Sequence, residues 1–195
     1  LMCKVGDIVV VGGVRRSAMI SLSDLEDSSM RTAKFGFWWE ENNQRSLANN
    51  SATYECKPSM SQFIDEWRAL YNSRSGERGI FNREAAKRLS PERRDTNHDF
   101  GTNPCSEILL RGAQLCNLSE VIVREDDTLK SLKEKVKVAS ILGTLQSTLS
   151  DFRYLRKIWK TNTEEERLLG VSLTGICDHA VLGNHQNLGR KTWYT

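Results

Sequence analysis

GTNPCSEILLRGAQLCNLSE, residues 101–120, joins a breaker-rich approach, a cysteine flanked by polar side chains and a returning apolar run. The polar residues 92–104 before the cysteine read as a long loop, and loops of that length in compact domains are often functional. Cys105 stands between the amide of Asn103 and the carboxylate of Glu107, at i−2 and i+2. In extended or loop-tip backbone those three positions project to one side, so the side chains can converge on one small substrate. A neighbouring carboxylate disfavours the thiolate, which argues against an ordinary nucleophilic cysteine needing a histidine or a positive field. The pattern suits a neutral thiol or a sulfur radical, with Glu107 moving protons. The other reading these residues allow is a buried cysteine in a turn capped by Asn103 and Pro104.

Outward from this stretch the chain alternates helix and strand. On the C-terminal side, residues 118–123 have strand character. Residues 128–149 form a long helix with Leu129, Leu132, Val136, Ala139, Leu142 and Leu145 near one face, and 152–161 continue helical. Residues 169–173 are a strand, followed by Gly175 and a helix from near Asp178. On the N-terminal side, residues 5–11 are a helix end passing into Gly12-Gly13, or a short buried strand. Residues 14–22 have strand period, and Ser23-Asp24 cap a helix over 25–35. Residues 40–50 read as a polar loop, and 52–54 as a short strand. Met60, Phe63, Ile64, Trp67, Leu70 and Tyr71 give residues 59–72 the spacing of an amphipathic helix. A short strand at Ile80-Phe81 precedes a helix over 83–89 that Pro91 ends. The alternation implies an α/β fold with parallel strands, in one domain spanning 1–195.

Composition narrows the function classes. The 195 residues carry 28 Lys and Arg against 25 Asp and Glu, a net charge of +3, too little for a nucleic-acid footprint. The basic residues Arg83, Lys87, Arg88, Arg93 and Arg94 are offset by Glu84, Glu92 and Asp95 and read as a solvated helix face running into a loop. No apolar run approaches the ~20 residues of a membrane span, and the start has no signal-peptide pattern. Five cysteines, at 3, 56, 105, 116 and 177, make no secreted disulfide framework and read as reduced thiols, with Cys56 and Cys177 inert and half-buried. His98, His179 and His185 lie outside zinc-finger spacing, so no metal site is expected. Gly12-Gly13 with Arg15-Arg16 is read as packing rather than a phosphate cradle, and Trp38-Trp39 as core or interface.

Asn103-Pro104-Cys105-Ser106-Glu107, followed by Cys116-Asn117-Leu118, resembles the finger-loop signature of the ribonucleotide reductases. Residues 10–18 (VVGGVRRSA), Asn49-Asn50-Ser51, residues 76–82 (GERGIFN) and residues 167–175 (RLLGVSLTG) resemble, in the same order, segments of the monomeric adenosylcobalamin-dependent, class II enzymes. The likeness covers roughly residues 5–178, and the spacing of 11 positions from 105 to 116 also looks like class II. The resemblance implies roles. Cys105 would become the thiyl radical that removes the 3′ hydrogen of the ribose. Glu107 would be general base on the 3′-hydroxyl, and Asn103 would hydrogen-bond the ribose. Cys116 would be one half of the redox-active disulfide, its partner expected upstream of Leu1 rather than at Cys3, and Ser51 would help bind substrate.

The resemblance further implies part of the ten-stranded α/β barrel of this radical-enzyme superfamily, with the finger loop at about 100–117. The implied cofactor is adenosylcobalamin, with most of its binding surface outside these residues. The implied partners are a ribonucleoside triphosphate substrate, a deoxynucleoside triphosphate effector and a thioredoxin-type dithiol reductant, in the cytoplasm. The chain is expected to be an internal fragment, with a phosphate-binding loop still to follow. A class I large-subunit fragment and a non-catalytic assembly piece of a split enzyme are the alternatives.

Overall fold

A computed structural model describes residues 1–9 and 18–183, in two compact units, Leu1–Gly112 and Ala113–Thr195. The glycine and arginine segment at 10–17 and the stretch 184–195 lie outside the described residues. In the first unit, helix α1 (Met2–Val9) bears out the helix-end reading and carries Cys3. Strands β1 (Met19–Ser23), β2 (Ala48–Tyr54) and β3 (Gly79–Asn82) form a parallel sheet in the order β1-β2-β3, with Ile20 opposite Asn49 and Ser51 opposite Gly79. The strand expected at 52–54 thus begins four residues earlier, inside the expected polar loop. Its asparagines are accommodated because a buried ammonium and a half-buried carboxylate satisfy the backbone beside them. The Lys34 ammonium donates to Ala48 O at 2.6 Å, and Glu77 Oε2 accepts from Asn50 N at 3.2 Å. The Lys34–Glu77 pair closes this network at 2.9 Å.

The helix expected over 25–35 shrinks to one turn, α2 (Ser28–Arg31), capped by Asp27 rather than by Ser23-Asp24. Tertiary pairing wins here over helix propensity: Arg31 binds Glu66 and Lys34 turns inward to β2. A second short helix, α3 (Trp38–Glu41), and a 3-10 turn (Asn43–Leu47) fill the rest of the connection. Trp39 is half exposed, stacking edge-on with Phe37 and Trp38.

Helix α4 (Met60–Ser73) forms where the periodicity placed it, started by a capping box between Ser59 and Gln62. Its faces are not those expected. Phe63, Ile64, Trp67 and Tyr71 are exposed, whereas Glu66 is buried at 7% exposure. Arg78 grips the Glu66 carboxylate through two bonds of 2.9 and 2.8 Å, and Arg31 adds a third at 2.5 Å. Burial alone pushes the Glu66 carboxyl up, but the hydrogen bonds from Arg78 and Arg31 outweigh it and hold it below its ordinary value. Helix α5 (Arg83–Leu89) follows, capped by Asn82.

In the second unit, β6 (Asn117–Ile122) and β7 (Leu169–Thr174) pair in parallel across helices α6 (Leu129–Ser147) and α7 (Lys157–Glu166). The long helix buries Leu132, Ala139, Gly143 and Ser147, a narrow stripe, and leaves Leu129, Leu142 and Leu145 more than half exposed. The expected helix at 152–161 is displaced: residues 152–155 form a turn and α7 starts only after Arg156. Gly175, at φ +75°, ends β7 where a Cβ would lie 2.5 Å from Val123 O, so only glycine fits. A 3-10 turn (Ile176–Asp178) follows instead of the expected helix. His179 is buried, pairs through Nε2 with Asp127 O at 2.8 Å and accepts at Nδ1 from Leu182 N at 3.1 Å.

Asp127 anchors the turn between β6 and α6. Lys135 donates to it at 2.6 Å, the Ser131 hydroxyl at 2.7 Å and Arg124 N at 2.8 Å, and these bonds bring its carboxyl down to about 2. A depressed carboxylate contributes stability that is present above its unfolded value and is lost as pH falls through the folded one. Denaturation midpoints should therefore drop as pH falls from 3.8 toward about 2, and the drop should be shallower in Asp127→Asn. Parallel acid curves for the two proteins would show that Asp127 carries none of this dependence.

Candidate active-site loop

The quoted stretch forms a hairpin. Strands β4 (Gly101–Thr102) and β5 (Leu109–Leu110) pair antiparallel, Thr102 opposite Leu109. Past them a side chain continues the ladder: Asn103 N donates to Ile108 O at 3.3 Å, and Asn103 Oδ1 accepts from Ile108 N at 3.0 Å. Within that closure Ser106 N donates to Asn103 O at 3.0 Å, making a turn with Ser106 at φ +67°. The backbone at the tip is thus not extended, and the alternation expected to align Asn103, Cys105 and Glu107 does not apply. The Asn103 amide oxygen is engaged inside the loop rather than turned outward.

Cys105 and Glu107 are both exposed, so the reading of Cys105 as a buried core thiol falls. The tip is also tied to the sheet: Asn49 Nδ2 on β2 donates to Pro104 O at 2.7 Å. Ser51 stands two residues further along β2, on the same face by the pleat, and is buried against Gly79 of β3.

Arginines hold the base of the hairpin. Phe100 is fully buried; Arg83 Nε donates to its carbonyl at 2.7 Å and the Arg94 guanidinium lies 4.8 Å from its ring. Arg94 also donates to Leu109 O at 3.0 Å, and Arg111 contacts His98 at 3.0 Å. The basic run read as a solvated face therefore contributes two loop anchors, Arg83 and Arg94. The sequence signal for this was weak, since interspersed acidic residues made the run look like ordinary surface.

Cys116 belongs to the other unit, half-buried just before β6, its Sγ 3.7 Å from Asn117 O. Cys3 is partly buried on α1, and Cys56 and Cys177 are exposed rather than half-buried. Among the described residues no cluster of His, Cys, Asp and Glu could hold a metal ion, and no helix is long and apolar enough to cross a membrane. One cavity, lined by Tyr54, Phe63, Glu66, Trp67, Arg78, Gly79 and Ile80, has a volume of about 10 Å³, the space of one water molecule and far below a corrin. Tyr54 Oη is buried there without a hydrogen-bond partner, and burial pushes the phenol up.

No family model matches the chain. Its similarity is to whole proteins. Over 187 residues it is 32% identical to the adenosylcobalamin-dependent ribonucleoside-triphosphate reductase of Lacticaseibacillus paracasei, covering 89% of this chain and 23% of that protein. The reductases of the same description from Lactobacillus gasseri and Lactobacillus leichmannii are 31% and 29% identical, over 89% and 96% of this chain. The chain spans about a quarter of the length of the curated relatives it matches. Along most of its length the chain is therefore similar to one segment of the longer adenosylcobalamin-dependent ribonucleoside-triphosphate reductases.

Proposed function

We propose that this segment supplies the radical-bearing thiol of an enzyme that reduces ribonucleoside triphosphates to their 2′-deoxy forms, within part of a ten-stranded α/β barrel. The observation that carries this reading is the presentation of Cys105: an exposed thiol at the tip of a hairpin whose base is anchored by arginines and whose tip is tied to the sheet. Such fixing suits a group that must meet one atom of a substrate, because orientation is a large part of catalysis.

In this reading the Cys105 thiyl takes the 3′ hydrogen atom, becoming a thiol and leaving a radical at C3′. Glu107 accepts the 3′-hydroxyl proton and returns it to the 3′ oxygen as the deoxyribose forms. Asn103 offers its amide N–H groups to the ribose, its oxygen being held by Ile108 N, and Ser51 contributes from β2. The 2′-hydroxyl leaves as water while two thiols, Cys116 and a partner, give two electrons and two hydrogens and close to a disulfide. The Cys105 hydrogen atom then returns to C3′. A thioredoxin-type dithiol reopens the disulfide by exchange, and a deoxynucleoside triphosphate effector and a cytoplasmic setting complete the proposal.

Adenosylcobalamin, when bound, supplies the radical equivalent that oxidises the thiol. The exposed tip at Cys105 fits a group approaching from outside this segment, whereas the described cavity is too small for the corrin. In a full-length protein carrying this segment, conversion of ribonucleoside triphosphates should require adenosylcobalamin and a dithiol. Turnover without the cobalamin, on addition of a metal-containing partner subunit, would assign the segment to class I instead.

A further inference from the structure

We propose that Asn49 is a positioning residue for Cys105, holding the thiol in place through the peptide bond that precedes it. The inference rests on the reading of Cys105 as the radical carrier. Six of the seven residues of β2 are buried; Asn49 is the exposed one. Its Nδ2 lies 2.7 Å from Pro104 O, across 55 positions of chain. That carbonyl belongs to the peptide unit whose nitrogen is Cys105 N, so the bond acts on the plane from which the Cys105 side chain departs. The other bonds of the tip hold it to itself: Ser106 N to Asn103 O, and Asn103 to Ile108 in both directions. Arg83 and Arg94 hold its base, at Phe100 and Leu109. Asn49 is the link described between the tip and the sheet.

The donor is itself well supported. Its neighbours on β2 are fixed from beneath, Ala48 by the Lys34 ammonium and Asn50 by the Glu77 carboxylate, and those two side chains pair with each other. Asn49 therefore projects from a strand whose backbone is locked on either side of it. An exposed neutral hydrogen bond adds little to net stability. Its consequence is geometric, because a displacement of about 1 Å at a reacting group can cost about 100-fold in rate.

The test uses a full-length protein carrying this segment, as Asn49→Ala, Asn49→Asp and Asn49→Gln, with Cys105→Ser alongside. Asn49→Ala should lower kcat by about 10- to 100-fold with KM within about twofold. Asn49→Asp should be worse, since a carboxylate faces the Pro104 carbonyl without a proton to donate, and Asn49→Gln should recover part of the loss. Independently of turnover, hydrogen exchange at the amides of Cys105 and Ser106 should accelerate in Asn49→Ala, while residues 48–54 and 79–82 keep their protection. Unchanged kcat and exchange would overturn the proposal. So would faster exchange through the whole sheet, which would make Asn49 a fold residue, or a rise in KM alone, which would make it a binding residue. Turnover surviving in Cys105→Ser would instead overturn the radical-carrier reading. If Cys105→Ser is inactive and the Asn49 variants behave as the parent, only the positioning role fails.

Discussion

Cys105→Ser, in a full-length protein carrying this segment, is expected to lose nucleotide reduction by about 10⁴-fold or more, the scale on which essential catalytic groups act. Fold and nucleotide binding should stay nearly intact. The serine hydroxyl holds its hydrogen too strongly to exchange a hydrogen atom with a ribose carbon, so it cannot replace a thiyl. The substitution is otherwise mild: the side chain is exposed on the hairpin tip, and exposed substitutions away from special features change stability by only about 0.5 kcal/mol. The turn does not depend on the sulfur, because it is closed by Ser106 N to Asn103 O and by Asn103 to Ile108. Turnover, the thermal midpoint and nucleotide affinity check the three parts separately. Substantial turnover in the serine protein would remove Cys105 as radical carrier.

Cys116→Ser should lose turnover as completely but keep the radical. Cys116 serves as a two-electron donor, through a disulfide, and is not required to start hydrogen abstraction. Its Sγ lies 3.7 Å from Asn117 O, a contact the smaller hydroxyl can keep. The substrate-dependent radical signal should therefore survive, while deoxynucleotide formation fails even with excess dithiol, since exchange requires a thiol at this position. Equal loss of the radical in both variants would mean the two roles have been divided wrongly. Normal turnover in Cys116→Ser would exclude it from the redox pair.

Much of the secondary structure was legible because its signals are local. The capping residue Ser59 and the spacing from Met60 to Tyr71 specify α4, and alternation specifies β6 and β7. Where tertiary pairing competes with local preference, the reading failed. Arg31 and Lys34, drawn to Glu66 and to β2, cut the helix expected over 25–35 to one turn. The faces of α4 were inverted for the same reason: periodicity shows that a helix has an apolar side, not what lies against it. Glu66 is buried because two guanidiniums meet it, a fact spread over Arg31, Glu66 and Arg78.

At the candidate site the division is similar. The amino-acid sequence by itself determined which chemistry is present: a thiol between an amide and a carboxylate, a second thiol at 116, and an α/β chain with parallel strands. Only the tertiary structure decided how that thiol is held. A turn rather than extended backbone at Asn103, anchors from Arg83 and Arg94, and a tie from Asn49 to Pro104 all arise from hydrogen bonds between distant positions. Their donors and acceptors are ordinary residues in the sequence, and what makes them specific is distance in space, which spacing along the chain does not encode.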